Sequence, residues 1–134
     1  VNVNVPCDVG CSLTPGYWKT HSKYGPAPYD DTWALKGEDT VFFLSGKSWY
    51  AALWTPPAGN AYWILAHAYI AAVLNDLNGA DTSAITAELA AAKTLFETYT
   101  PAQVTRQVRN QFTSLATTLD NYNNGLIGPG HCSE

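Results

Sequence analysis

The longest apolar stretch of the chain lies within residues 60–77, where AYWILAHAYIAAVLNDL follows Asn60. Between Ala61 and Leu74 only His67 and the tyrosine hydroxyls interrupt the apolar residues, so a helix here has no polar face to turn toward water. A helix that is apolar all round is buried all round. The stretch falls short of the roughly 18 uninterrupted apolar residues typical of a membrane span. The pattern therefore predicts no membrane span and a small all-α bundle around one buried central helix, at about residues 60–77.

Two amphipathic helices are predicted after the central one. Asp81 is expected to cap the first, whose apolar stripe has helical spacing at Ile85, Leu89, Ala92 and Phe96. Thr100 and Gln103 form a capping box with Pro101 at the first helical position, which predicts that the second helix starts there. Its stripe is Val104, Val108, Phe112, Leu115, Leu119 and Tyr122, and Asn124 with Gly125 ends it.

The first half of the chain predicts two short helices and long loops. Thr14 followed by Pro15 begins one short helix, and Ser48 caps another. Between them, residues 29–46 are predicted to be mostly loop, with residues 41–44 (VFFL) as an apolar plug into the core. We expect a single domain over residues 1–134, in which residues 1–12 form an extended arm and residues 13–134 the helical part.

The first five residues alternate apolar and polar side chains. Val1, Val3 and Val5 fall on one side of an extended chain, the pattern of a half-buried strand, and Pro6 ends it. Nothing later in the sequence is an equally good partner strand, and an isolated strand leaves its main-chain groups unpaired. The arm is therefore expected either to lie in a groove of its own domain or to add to a neighbouring molecule.

Composition favours an extracellular protein. Charged residues make up 13% of the 134 residues, against roughly 25% in ordinary soluble domains, and the net charge is −4. The seven basic residues are scattered, which argues against nucleic acid as a partner. Val1 stands where an initiator Met would be, as in a mature protein after removal of an export signal. The sequence thus predicts a secreted protein of the cell surface or its surroundings.

Three cysteines lie near the two ends of the chain. In an exported protein, the default expectation is a disulfide from Cys132 to either Cys7 or Cys11, which would close a loop of about 120 residues and leave one odd cysteine. The competing interpretation is structural zinc held by Cys7, Cys11, His131 and Cys132. We favour the disulfide, because oxidising surroundings suit it and because adjacent His and Cys are an awkward pair of ligands.

Aromatic and histidine side chains are the remaining candidates for chemistry. Tyr17, Trp18, His21 and Trp33 form a candidate aromatic surface for a glycan or small ligand, although such aromatics are more often core. His67 is more simply a satisfied core histidine than a ligand or base. No catalytic constellation and no cofactor motif occurs.

Residues 13–21 read LTPGYWKTH and resemble exported bacterial domains that carry an LTPGYWK[TN]H opening signature. A closing motif matches it, here YNNG at residues 122–125 and GPGHC at residues 128–132. The resemblance covers nearly the whole chain. It implies export and a shared scaffold but no particular activity, and Thr20 stands where relatives often have Asn.

Three classes of function follow from these patterns. The preferred one is a secreted structural protein, a homo-oligomer or polymer such as a filament or surface-layer subunit, joined through its N-terminal arm. The alternative is an extracellular module that binds a glycan or small ligand through exposed Trp and Tyr. A metal-dependent or hydrolytic enzyme using His21, His67 or His131 is the third, and we do not expect an enzyme.

Overall fold

The structure is a computed structural model that describes residues 11–132. Within this range the chain forms α-helices and loops, with β-type pairing confined to two isolated bridges. The helices are α1 (Pro15–Thr20), α2 (Trp33–Lys36), α3 (Trp49–Trp54), α4 (Ala61–Leu77), α5 (Thr86–Thr98) and α6 (Arg106–Asn123). Short 3-10 turns, Ser83–Ile85 and Pro101–Gln103, precede α5 and α6. The predicted all-α bundle is confirmed.

Helix α4 is the centre of the bundle, as its sequence predicts. Twelve of its 17 residues are buried, and it packs against the five other helices found within residues 11–132. The Asn60 side chain caps its start by accepting a hydrogen bond from the Tyr62 N–H, 2.9 Å away. Because alanines recur along its surface, neighbouring helices can approach α4 from every side. None of the helices within residues 11–132 has the length and apolar character needed to cross a membrane.

The apolar plug at residues 41–44 enters the core only in part. Phe42 is fully buried and Phe43 half-buried, whereas Val41 and Leu44 are 65% and 48% exposed. The reason is a left-handed turn at Phe43, whose φ of 46° reverses the chain so that its ring stacks on Phe96. The prediction that all four residues plug the core is wrong for the outer two.

Two predicted helix starts differ from the structure. The capping box of Thr100 and Gln103 is present, but it closes a single 3-10 turn. The backbone of Val104 then leaves helical geometry, and α6 begins at Arg106. Similarly, Asp81 accepts a hydrogen bond from the Ser83 N–H in the 3-10 turn, so α5 begins only at Thr86. The loop predicted for residues 29–46 also contains the one-turn helix α2.

The predicted N-terminal arm lies outside the described residues, apart from its last two positions. Val1, Val3, Val5 and Cys7 are therefore not described. Cys11 and Ser12, where the arm joins the helical part, are described and lie beside the C-terminal segment. This junction is called the arm root below, and it consists of Cys11, Ser12 and Leu13.

Candidate functional site at the joined chain ends

A disulfide joins the two ends of the described chain. Cys11 is bonded to Cys132 across a sequence separation of 121 residues, with a Cα–Cα distance of 5.0 Å. In the chain-entropy treatment a loop of this length stabilises the fold by about 5 kcal/mol. The expected end-to-end disulfide is confirmed, and its N-terminal partner is Cys11.

The zinc interpretation is not supported by this bonding. It required thiolates from Cys7, Cys11 and Cys132 together with His131, and two of those sulfurs are joined to each other. Among residues 11–132 no group of three or more His, Cys, Asp or Glu side chains is placed to hold a metal ion. Cys7 lies outside the described residues.

Ser12 pairs the arm root with the C-terminal segment. Its N–H donates to the Gly130 carbonyl and its carbonyl accepts from the Cys132 N–H, each at 2.7 Å, which makes a parallel bridge with His131. Its hydroxyl donates to the Tyr122 carbonyl at 2.8 Å, at the end of α6. Ser12 is fully buried, so these bonds are shielded from water.

Asn75 holds the next residue of the arm root. Its side-chain oxygen accepts from the Leu13 N–H and its amide nitrogen donates to the Leu13 carbonyl, both at 2.9 Å. One side chain thus pairs with both main-chain groups of Leu13, as a neighbouring strand would. The same oxygen accepts from the Trp18 indole at 3.3 Å, and the same nitrogen donates to the Asn123 side-chain oxygen at 3.1 Å.

Asn123 completes this buried network. Its amide nitrogen donates to the Ala68 carbonyl at 3.0 Å, so the last turn of α6 is bonded to α4. Asn75 and Asn123 are both fully buried. Because each polar atom of the pair has a partner, the network can hold the arm root without unpaired groups in the core. These residues were not predicted as site residues, although an asparagine at the end of an otherwise apolar helix is a visible signal.

Two glycines let the C-terminal segment close over α6. Gly125 has a φ of 80°, and a Cβ atom there would lie 2.4 Å from the main-chain nitrogen of His131. Gly128 has a φ of 82°, and a Cβ atom there would lie 2.7 Å from the ring of Tyr122. Burial raises the pKa of Tyr122 to about 12, and its hydroxyl donates to the Asp81 carbonyl. The YNNG and GPGHC segments therefore form the surface against which the arm root packs.

Trp18 and Trp33, two of the four residues predicted for an aromatic surface, are core residues. Both side chains are fully buried. The Trp33 indole donates to the Trp18 carbonyl at 2.9 Å, and the Trp18 indole donates to Asn75. With their surfaces packed and their N–H groups bonded internally, neither can stack on a ligand. The prediction for these two tryptophans is wrong.

Tyr17 and His21, the other two, lie together at the end of α1. Their rings stack with centroids 4.0 Å apart, and the Tyr17 hydroxyl donates to Asp30 Oδ2 at 2.6 Å. His21 Nδ1 lies 2.9 Å from the Pro28 carbonyl, which can only accept, so Nδ1 carries a proton. Burial would raise the pKa of Asp30, but hydrogen bonds from Tyr17 and Thr32 outweigh it and hold the pKa below its usual value.

His67 is bonded within the bundle. Its Nε2 lies 2.8 Å from the Thr55 carbonyl, and burial lowers its pKa. A neutral imidazole that donates to a carbonyl is the satisfied core histidine expected from its place in α4.

A partly exposed row of aromatic rings, with Tyr50 half-buried at its centre, was not predicted as a set. The centroids of Tyr24 and Tyr50 are 5.2 Å apart, and those of Tyr50 and Trp54 are 6.1 Å apart. Tyr24 is 55% and Trp54 47% exposed. The ammonium of Lys19 lies 4.5 Å from the Trp54 ring centroid and that of Lys23 lies 5.2 Å from the Tyr24 centroid. Tyr24, Tyr50 and Trp54 are called the aromatic row below.

Comparison with known proteins adds no relative to this picture. No family model, no curated protein and no solved structure matches the chain.

Proposed function

We propose that this protein is a secreted structural subunit that self-associates through its N-terminal arm into a filament or surface layer. The observation that carries the proposal is the anchoring of the arm root. Cys11 is covalently tied to Cys132, Ser12 is paired with the C-terminal segment, and Leu13 is held by Asn75. An arm that leaves from a fixed point loses less conformational freedom when it binds a neighbour than one that leaves from a loose end.

The surface and the disulfide support the same proposal. Aliphatic side chains at Leu35, Val41, Leu44 and Leu126 are exposed, and few charges oppose close packing of copies. A disulfide that closes the fold suits an oxidising, extracellular setting. An extended arm that adds to a neighbour through main-chain bonds and alternate side chains is a known assembly mode. The proposal assigns no catalysis to the chain.

The test compares the parent protein with arm variants. Deletion of residues 1–5, or the combined change Val1→Asn, Val3→Asn and Val5→Asn, should leave helicity unchanged and abolish association. The matched control Asn2→Ser with Asn4→Ser retains the valines and should assemble normally. Sedimentation velocity and negative-stain micrographs measure association, and circular dichroism measures helicity.

Three results of this comparison would overturn the proposal. The first is a parent protein that stays monomeric at every concentration, and the second is a truncated protein that builds the same assemblies. The third is a deletion that lowers the melting temperature and leaves association unchanged, because the arm would then pack on its own domain.

A second candidate function, glycan binding, rests on the aromatic row. Exposed tyrosine and tryptophan rings can stack on the apolar faces of sugars, and Lys19 and Lys23 lie beside this row. Titration calorimetry with a panel of neutral and acidic oligosaccharides would test it. Saturable binding that Trp54→Ala removes and Leu35→Ala retains would support the row as the site, whereas no binding by the parent protein would reject it.

A further inference from the structure

An open groove lies between α5 and α6. Its cavity has a volume of about 450 Å³ and is lined by Ala91, Thr94 and Leu95 from α5 and by Gln111, Ser114 and Leu115 from α6. Small side chains at its rim leave the groove open. Leu95 is nearly buried and Leu115 half-buried, so an apolar floor remains within reach of a partner. We call this feature the α5–α6 groove.

The groove has a definite chemistry. None of its six lining residues is charged, and Gln111 and Ser114 are exposed polar groups beside the two leucines. A hydroxyl and an amide can bond the main chain of an extended peptide, which a purely apolar groove would leave unsatisfied. The groove therefore suits an uncharged, extended segment with small aliphatic side chains.

We infer that the α5–α6 groove receives residues 1–5 from a second copy of the chain. On each helix the lining residues span one turn, about 6 Å along the axis. Alternate side chains of an extended chain are spaced by about 6.8 Å, so two of Val1, Val3 and Val5 can enter together. The side chains of residues 1–5 carry no charge, and Asn2 and Asn4 are amides that can bond Gln111, Ser114 or solvent.

The arm is long enough to bridge two copies. Residues 1–10 stand ahead of the arm root, and ten residues of extended chain span up to about 35 Å. The root is fixed beside Asn123, at the end of α6, whereas Leu115 lies eight residues back along the same helix, about 12 Å away in axial rise. The donor arm and the acceptor groove are thus different surfaces. A contact between unlike surfaces builds a filament when successive copies do not close into a ring.

This inference rests on the proposed function, namely that the arm joins copies. Its first test places an arginine in the groove. Ser114→Arg at an exposed position should leave helicity and the melting temperature unchanged but weaken self-association at least tenfold. Thr117→Arg adds the same side chain one turn further along α6, at an exposed position that does not line the groove, and should associate like the parent. Sedimentation velocity over a concentration series measures both.

A second test maps the arm directly. A diazirine analogue of leucine replaces Val3, isotopically heavy and light protein are mixed, and photo-cross-linked peptides are identified by mass spectrometry. We expect heavy-to-light cross-links from the arm to residues 91–95 or 111–115. Cross-links only within one isotope would place the arm on its own domain and overturn both the inference and the proposed function. A different result would reject only the groove as the binding site. In that case the arm deletion abolishes assembly, Ser114→Arg assembles normally, and cross-links fall elsewhere on the neighbour. Assembly through the arm would then stand.

Discussion

Replacement of Asn75 by alanine should release the arm root from the bundle. The change removes the side-chain bonds to the Leu13 N–H and carbonyl, to the Trp18 indole and to Asn123. All of these groups lie in the buried part of the structure, so they lose their protein partner without gaining bulk water. The alanine also leaves a small polar cavity beside Leu13.

The expected loss of stability follows from the number of unpaired groups. A buried donor or acceptor left without a partner costs about 1–3 kcal/mol. The bond to the Trp18 indole is long and is left out of the sum. Because a water molecule can enter the space that the asparagine side chain leaves, each of the other three bonds costs an amount near the lower end of that range. The gain in helix propensity, about 0.5 kcal/mol, offsets little. We expect the unfolding free energy to fall by about 2.5–4 kcal/mol, which lowers the melting temperature by about 8–16 °C.

Urea unfolding followed by tryptophan fluorescence, under oxidising conditions, measures this loss. Asn110→Ala is the matched control, because it makes the same substitution at an exposed position of α6 and should change stability by no more than about 0.5 kcal/mol. If Asn75→Ala stayed within 1 kcal/mol of the parent, the buried bonds to Leu13 would not be what holds the arm root.

Three further outcomes are expected. Cys132→Ser should lower the unfolding free energy by about 5 kcal/mol in urea titrations, because it removes the disulfide. Cys7→Ser leaves the Cys11–Cys132 bond in place and should not cause this loss. An equal loss of unfolding free energy in both variants would contradict the pairing. Asp30→Asn should destabilise by about 1–2 kcal/mol at pH 7. Since the folded pKa of Asp30 is lowered, its contribution is present above the unfolded pKa and lost as pH falls through the folded one. Thermal melts of the two proteins should therefore converge once the pH is below the folded pKa, which lies under the ordinary value of an aspartate, and a gap independent of pH would contradict it. Tyr62→Phe should leave stability unchanged or raise it by about 1 kcal/mol in the same melts, because the buried hydroxyl interacts only weakly with Ser45 and has no hydrogen bond of good geometry within residues 11–132. Clear destabilisation would mean that the Ser45 contact is a full hydrogen bond.

Apolar periodicity predicted most of the fold. A stretch without a polar face could only be a buried helix, and α4 packs against every other helix within residues 11–132. The stripe from Ile85 to Phe96 likewise follows from the need of a surface helix to cover the core. In these cases a single physical requirement, removal of apolar surface from water, determines the structure, and the sequence displays it directly.

Helix boundaries were predicted less well, because local signals compete with packing. The capping box at Thr100 has both of its hydrogen bonds, yet it closes only one 3-10 turn before Val104 breaks the helical backbone. The same holds for the plug at residues 41–44. Its four residues are all apolar, so the sequence does not distinguish them. The left-handed turn at Phe43 decides which of them are buried.

The candidate site was the least predictable part. Asn75 bonds Leu13, 62 residues away in the sequence, and Asn123, 48 residues away. No rule of sequence spacing reveals such pairs. Trp18 and Trp33 were named in a candidate aromatic surface although such aromatics are more often core, and both are buried, because the sequence does not show which rings face the solvent. The cysteines were predicted to join the ends because an exported protein in oxidising surroundings favours such a disulfide, but the choice between Cys7 and Cys11 depended on how the C-terminal segment closes over α6.

An anchored arm root has a mechanical consequence for an assembly. If tension along a filament reached an unanchored N-terminus, it would break the first hydrogen bonds one after another and peel the chain from its own fold. At Cys11 the same tension meets a covalent bond to Cys132, and through Ser12 and Leu13 it also meets the ends of α6 and α4. While the disulfide is intact, the hydrogen bonds of Ser12 and Leu13 cannot be broken one after another from the N-terminal side. A ligand-binding module has no such need, because its ligand exerts no pull on the chain end. The concentration of bonds at residues 11–13 is therefore better matched to a subunit that is held by its arm than to a monomer that binds a sugar.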